Sequence, residues 1–326
     1  MKIAVLEPGA WGTALGIILS RRNDISFWYS DSKLAKKLSQ FRKNERLPNI
    51  KIPLRIFISS DLKKTIKKTD LIIIAPPSFN FRQTLTKLKK FKNLPPLLGI
   101  AKGTEKKTKK LPSQIVKEII GEVSYAHLSG PGFARETIEG KLTREVIASE
   151  NRALLKRLKK IFDTKPLKVS LTTDLIGVQL AGAFKNALAI GISLVGANII
   201  NNAGKEKVAK KLIQAGLREM IEFGRASGGK RKTFLGPAGL GDLILTSTNP
   251  LSRNFQFGQA LFSDAKKLRK EIIDRKITVE GFDSIFALYN LGKIHRLNLP
   301  IINEIYKVIY KNKSPKKAVE NLIKLV

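Results

Sequence analysis

The chain of 326 residues has no cysteine and only two histidines, His127 and His295. Without cysteine there are no disulfides, no thiolate nucleophile and no cysteine-bound zinc. With two histidines, a His-based metal cluster or a Ser-His-Asp triad would need one of them in a special place; both read as ordinary core or surface residues, and no metal is expected. Acidic residues are scarce as well: 26 Asp plus Glu stand against 61 Lys plus Arg, a net charge of +35. Such a field attracts polyanions without sequence preference and equally draws in small anionic substrates. The basic runs KLAKK (33–37), KKTIKK (63–68), KLKKFK (87–92), KKTKK (106–110) and KRLKK (156–160) are short, and most are interleaved with apolar positions at helical spacing. They read as solvated helix faces and loops of a lysine-rich composition. No contiguous basic arm is present, so no specific nucleic-acid partner is expected.

The N-terminal run MKIAVLEPGAW breaks at Glu7-Pro8, which does not suit a signal peptide. The longest apolar stretch, Leu175 to Ile200, is long enough to span a bilayer, but Lys185-Asn186 lies near its middle. A central lysine costs about 3 kcal/mol on insertion scales, so a buried helix with a functional lysine is the expectation, in a cytoplasmic protein without membrane insertion.

With 43% hydrophobic residues, the chain has enough for roughly two cores at about 150 residues per domain. The first half alternates apolar runs with amphipathic patterns. Strands are expected at Ile3–Leu6, Ile25–Tyr29, Arg55–Ile58, Leu71–Ala75, Leu97–Ala101, Tyr125–Leu128 and Val146–Ala148, and helices at Trp11–Arg21, Ser32–Arg42 and Phe79–Lys90. This alternation predicts βαβ units, and nearly all-apolar strands predict a mainly parallel sheet covered on both faces. After residue 173 the strand signal fades. Helical patterns follow at Leu175–Ile200, Lys205–Ala226, Asn254–Phe262, Ser284–Leu291, Ile301–Lys311 and Pro315–Lys324. The expected organisation is an α/β domain over 1–173 followed by an all-α domain over 174–326. Between two of the helices, the Gly- and Pro-rich segment 233–254 is expected to interrupt helix as a functional loop.

The first strand runs into Glu7-Pro8-Gly9-Ala10-Trp11-Gly12, the place and spacing of a G-x-G-x-x-G dinucleotide turn. Gly9 would admit the pyrophosphate to the backbone, Gly12 would let helix and sheet pack closely, and the helix N-terminus would supply N–H donors. Glu7 replaces the first glycine, and Pro8 removes a donor. A carboxylate there repels pyrophosphate unless it points away, so Glu7→Gly is expected to leave cofactor affinity unchanged or to tighten it. On these residues alone, a plain strand–turn–helix stays open as the alternative.

Gly9-Ala10-Trp11-Gly12-Thr13-Ala14-Leu15 closely resembles the start of NAD(P)-dependent glycerol-3-phosphate dehydrogenases. The resemblance continues in order through Asn44-Glu45-Arg46-Leu47-Pro48, Ala75-Pro76-Pro77-Ser78, Ala101-Lys102-Gly103, Leu128-Ser129-Gly130-Pro131-Gly132-Phe133-Ala134, Gly182-Ala183-Phe184-Lys185-Asn186, Gly239-Leu240-Gly241-Asp242-Leu243 and Leu251-Ser252-Arg253-Asn254. It spans roughly residues 3 to 281. It implies a Rossmann-type N-terminal domain, a helical substrate domain and hydride transfer between NAD or NADP and sn-glycerol 3-phosphate, supplying the phospholipid backbone, in a homodimer.

Oxidising a secondary alcohol sends a hydride to the nicotinamide and the hydroxyl proton to a base. With no well-placed histidine, a lysine whose pKa is lowered by burial or by a second cation is the candidate. Lys185, among Ala183, Phe184, Ala187 and Leu188, is the natural choice; a snorkelling surface lysine is the alternative. By resemblance it is the acid/base. Lys102, at a strand end, would be the second cation and would also touch the cofactor. Asp242, one acid among glycines and apolar residues, needs a partner that Lys185 can supply; a helix cap is its bland reading. Thr246 lies one helical turn on. Arg253 offers a planar fork to phosphate at a helix start near Ser252, with Asn186 and Asn254 as amide donors. The resemblance assigns substrate contacts to Lys185, Asp242, Ser252, Arg253 and Asn254, places Gly130 and Gly132 in a substrate loop, and gives Ala134, Arg253 and Glu280 to the cofactor with Gly9, Ala10, Trp11 and Gly12. Gly132 stands where the family has Ser, which removes a hydroxyl. Trp28-Tyr29-Ser30-Asp31 stands where the family often has Arg, and the balance leans toward NAD. Three competing readings remain: a degenerate, non-catalytic nucleotide- or phosphate-binding relative, a dehydrogenase of another hydroxy acid or sugar phosphate, and, least favoured for want of a recognisable module, a nucleic-acid-binding protein driven by the +35 charge.

Overall fold

The computed structural model describes residues 1–197, 199, 202–274 and 277–325. The chain divides into two compact units, one made of Met1–Ala101 and Pro112–Leu175, the other of Lys102–Leu111 and Ile176–Val326.

In the first unit, strands and helices alternate: β1 (Lys2–Leu6), α1 (Ala10–Leu19), β2 (Asp24–Trp28), α2 (Ser32–Phe41), β3 (Phe57–Ser59), α3 (Leu62–Ile66), β4 (Leu71–Ile74), α4 (Phe81–Leu88), β5 (Leu97–Gly99), α5 (Pro112–Ile119), β6 (Tyr125–Ser129), α6 (Ala134–Ile138), β7 (Thr143–Ala148), α7 (Arg152–Phe162) and β8 (Leu167–Thr172). The strands form one sheet in the order β3-β2-β1-β4-β5-β6-β7-β8. Every pairing is parallel except β6 with β7. The order through β6 is that of a Rossmann fold. The β4 sequence LIII is buried at all four positions, as a strand with both faces covered requires.

The structure moves some expected boundaries. β3 begins at Phe57 rather than Arg55, because Ile56 N–H donates to the Pro53 carbonyl and closes a turn just before it. β8 was not expected: LKVSLT alternates buried and exposed residues at its start, the pattern of an edge strand rather than an apolar run. The basic run at 156–160 lies on α7, whose buried face is Leu154, Leu155, Leu158 and Phe162.

The second unit is helical: α8 (Leu175–Ala197), α9 (Asn202–Ala226), α10 (Arg231–Leu235), α11 (Asp242–Thr248), α12 (Arg253–Ile273), α13 (Glu280–Ile294), α14 (Pro300–Tyr310) and α15 (Pro315–Ile323). α8 is the apolar stretch with the central lysine, and 94% of its most apolar window is buried among the other helices; the expected end at Ile200 lies outside the described residues. Segment 233–254 holds more helix than expected. A π-helical turn over Pro237–Gly241 feeds directly into α11, so Asp242 opens a helix instead of sitting in a loop. α12 continues past Phe262 to Ile273 through a non-helical Asp264, whose carboxylate accepts from Lys267 N–H and restarts the helix.

Candidate active site

In the first unit, β1 lies between β2 and β4, the point where the order of a doubly wound sheet reverses and ligands bind at the carboxyl ends of the strands. There the chain turns through Gly9 into α1. No side chain caps this helix, so its first-turn N–H groups face outward as donors. A Cβ on Gly12 would stand 2.8 Å from Ala75 Cβ, so only glycine lets α1 lie this close to the end of β4. The shielded Trp11 Nε1 has no hydrogen-bond partner among the described residues. Free backbone donors, a bare Gly9 and this unmatched indole N–H together fit a dinucleotide phosphate, and Gly9, Ala10, Trp11 and Gly12 are the residues that could hold it.

Around the turn sits a polar cluster that no local sequence pattern assembles. Asn44 donates to Thr13 Oγ1 at 2.8 Å, and its Oδ1 accepts from Arg46 N–H at 3.0 Å. The Arg46 guanidinium comes within 3.4 Å of where a Gly9 Cβ would be, which places an exposed cation beside the turn. Tyr29 donates its hydroxyl to the Pro8 carbonyl, and burial pushes its phenol pKa up, keeping it a donor. Glu7 adopts a left-handed backbone, φ 53°, which costs a non-glycine residue roughly 1 kcal/mol. Its carboxylate is drawn to the end of β2, where Oε1 accepts from Ser30 N–H at 2.9 Å. Asp31 is occupied with its own helix: its Oδ1 accepts from Lys33 and Leu34 N–H and caps α2.

Gly130 and Gly132 follow β6, and Ala134 opens α6. A Cβ on Gly132 would meet Thr143 Cγ2 at 2.6 Å, so the serine expected from the resemblance would not fit here unless the neighbour moved. The departure thus follows from local packing.

The second unit assembles most of the expected polar residues into one buried network. Lys102 Nζ meets Asp242 Oδ2 at 2.8 Å, and Lys185 Nζ meets Asp242 Oδ1 at 3.1 Å. Lys185 also donates to Thr246 Oγ1 at 2.9 Å, one turn along α11 from Asp242. The side chains of Lys102, Lys185 and Asp242 are 13%, 9% and 2% exposed, so one carboxylate holds two nearly water-free ammonium groups. Asn186, next to Lys185 on α8, donates to the Lys102 carbonyl at 2.7 Å and to Glu280 at 3.4 Å. Asn254 donates to Asn186 Oδ1 at 2.8 Å and accepts from Gly281 N–H at 3.1 Å. A Cβ on Gly281 would lie 2.5 Å from the Asn186 carbonyl oxygen, so glycine is what admits the start of α13 to α8. Asn186 therefore spends both amide hydrogens within the protein, and Asn254 keeps one to offer a ligand. Ser252 caps α12 by accepting from Phe255 N–H. Arg253, on the first turn, is exposed and forms no ion pair among the described residues. These two adjoin the network through Asn254 but are not bonded into it.

Lys102 reaches this network from a segment without regular structure. The segment is anchored by Lys106, whose ammonium lies 5.0–5.4 Å from the ring centres of Phe282, Phe286 and Tyr310 and 3.8 Å from Asp283. The basic run at 106–110 reads locally as solvated; the rings that receive Lys106 lie 176 to 204 residues further along the chain, and local spacing gives no sign of them.

Burial pushes the Lys185 ammonium below its ordinary pKa; Asp242 opposes this, and Lys102, as a nearby like charge, adds to it. Burial alone would raise the Asp242 carboxyl, but Lys102 and Lys185 outweigh it and hold the group below the usual carboxylate range. The result is a lysine that gives up its proton more readily than an ordinary one, beside a fixed anion and a second cation, an arrangement that suits moving a proton on and off an alcohol oxygen.

A turn fit for a dinucleotide, in a chain that also buries a lysine beside a carboxylate and a second cation, has the build of a nicotinamide-dependent dehydrogenase. Comparison with known proteins makes the class specific. The family model for the N-terminus of NAD-dependent glycerol-3-phosphate dehydrogenase matches residues 2–155, and the model for its C-terminus matches 174–320. The chain belongs to that family. It is 36% identical to glycerol-3-phosphate dehydrogenase (NAD(P)+) of Janthinobacterium sp. (strain Marseille), over 99% of this chain and 97% of that protein. The same enzyme of Thermoanaerobacter sp. (strain X514) is 34% identical over equal shares. The crystal structure of glycerol-3-phosphate dehydrogenase from Coxiella burnetii superposes with a TM-score of 0.91 at 31% identity, covering 99% of this chain and 98% of that one.

Proposed function

We propose that this chain interconverts sn-glycerol 3-phosphate and dihydroxyacetone phosphate with NAD(P), in the cytoplasm and as a homodimer, and supplies glycerol 3-phosphate for phospholipid synthesis. The observation that carries the reading is the pair of buried ammonium groups on Asp242. Residues 1–173 would bind the dinucleotide and 174–326 the substrate. Gly9, Ala10, Trp11 and Gly12 would hold the dinucleotide, which would supply the hydride chemistry at C2. Lys185 gives a proton to the C2 oxygen as the ketone is reduced and takes it back from the alcohol in the other direction. Lys102 stabilises the negative charge that develops on that oxygen and reaches toward the cofactor. Asp242 keeps Lys185 aimed and, with Thr246, accepts from a substrate hydroxyl. Arg253 and the α12 N-terminus hold the phosphate, with Ser252, Asn254 and Asn186 around it. Gly130 and Gly132 shape the loop over the substrate, and Ala134, Arg253 and Glu280 complete the cofactor contacts.

The second reading, a degenerate binding relative, draws on Glu7, Pro8 and Gly132. Against it stands the complete Lys102–Asp242–Lys185–Thr246 network, because buried charge is costly to keep without a use. The test is the loss of reduced-nicotinamide absorbance on adding dihydroxyacetone phosphate, with NADH and NADPH in separate assays. Turnover supports the enzyme. Folded protein inert with both would overturn it in favour of the binding relative.

A further inference from the structure

We infer that Glu7 selects the cofactor, acting as the carboxylate that receives an unphosphorylated adenosine ribose and rejects a 2′-phosphate. The inference rests on the dinucleotide reading of the β1–α1 turn. In doubly wound sheets, ribose is recognised by an acid at the end of the second strand, whereas an arginine there accommodates the 2′-phosphate. In this chain β2 ends at Trp28, and the acid that follows it, Asp31, is turned to the start of α2, where its Oδ1 accepts from Lys33 and Leu34 N–H. Glu7 brings its carboxylate to the end of β2 from the neighbouring strand. Its backbone N–H donates to the Trp28 carbonyl at 2.8 Å, so it continues the β1–β2 ladder. Its Oε1 accepts from Ser30 N–H at 2.9 Å, which fixes the side chain at the end of β2. Among the described residues nothing donates to Oε2, which is left to accept from ribose hydroxyls. The residue is also kept at φ 53°, a backbone that favours glycine and one that the dinucleotide turn normally fills with glycine. Arg46 does not reverse the sign, because its guanidinium lies beside Gly9, at the pyrophosphate end of the turn.

The inference runs against the expectation that Glu7→Gly leaves cofactor affinity unchanged or tightens it: on the inference, the variant should bind NADH more weakly. The experiment titrates the full chain with NADH, NADPH, ADP and adenosine 2′,5′-bisphosphate by calorimetry. A second signal comes from the fluorescence of Trp11 and Trp28, the only two tryptophans. Glu7→Gln keeps the side-chain length and an acceptor for Ser30 N–H while removing the charge, so it serves if Glu7→Gly disturbs the turn. A like-charge contact near the surface changes affinity on the order of tenfold. Wild-type protein should therefore prefer NADH to NADPH, and Glu7→Gln should narrow that preference by about tenfold. An unchanged preference in both variants overturns the inference and leaves Glu7 as a clasp for the turn. The same narrowing in Asp31→Asn, with none in Glu7→Gln, overturns it in favour of Asp31. Wild-type protein that binds none of the four ligands refutes the dinucleotide reading and the inference together.

Discussion

Asp242→Asn isolates the electrostatic core of the site. The substitution keeps the shape of the side chain but removes the anion that Lys102 meets at 2.8 Å and Lys185 at 3.1 Å. Both ammonium groups are nearly water-free, so without this carboxylate the repulsion between them is less well offset. Removing one partner of a buried ion pair costs about 3–5 kcal/mol. At roughly 2–4 °C per kcal/mol for a unit of this size, the melting temperature at pH 7 should fall by about 6–20 °C. The pH dependence carries a second signature. Because the folded-state pKa of Asp242 lies below its ordinary value, its contribution is complete above the unfolded carboxyl pKa and is lost as pH falls through the folded one. The deficit of the variant should therefore be full at neutral pH and shrink in acid, as the wild-type carboxyl takes up its proton. Thermal unfolding by near-ultraviolet circular dichroism from pH 3 to pH 8 measures both. If Asp242→Asn melts with the wild type at pH 7, or its deficit is the same at every pH, the two lysines are not held by this carboxylate and the site as described is wrong.

Lys185→Ala should lower turnover by about a hundred- to ten-thousandfold, the range for removing a general acid or base, while circular dichroism stays native; wild-type turnover would remove Lys185 from the chemistry. Arg253→Ala should raise KM for the phosphorylated substrate by about tenfold or more with kcat little changed, since an exposed charge-assisted contact to phosphate acts on binding; an unchanged KM would move the phosphate elsewhere. Glu219 is buried and accepts from Ile301 and Ile302 N–H at the start of α14, and burial raises its carboxyl to about 8. A carboxyl raised in the folded state favours folding in its protonated form. Wild-type stability should thus decline as pH climbs from the ordinary carboxyl range through about 8. Glu219→Gln, with no proton to lose, should show a flatter melting-temperature profile over that window; parallel profiles would place the titration elsewhere.

What the sequence conveys and what it hides follow the range over which each signal acts. β1 and β4 are apolar at nearly every position because helices cover both faces of the sheet, and a local run is enough to find them. β8 escapes the same reading because it lies at an edge, where half its residues can stay polar. Lys185 stands out because a charge within a long apolar stretch demands a reason, and Asp242 because an acid between glycines and leucines demands a partner. Their meeting across 57 residues follows from charge balance once both are known to be buried. The amide chain from Asn186 to Asn254 to Gly281 is different in kind. Each asparagine looks like a surface amide available to a ligand, and only the close approach of α13 to α8 shows that most of their hydrogen-bonding capacity is spent holding the helices that carry the site. Glu7 is the limiting case. Local sequence marks it as an intruder in a glycine turn, which it is, but its role depends on the neighbouring strand bringing Ser30 N–H within reach of its carboxylate. A residue that breaks a local rule, held in place by a distant partner, is where a chain can depart from its family while keeping the family's fold.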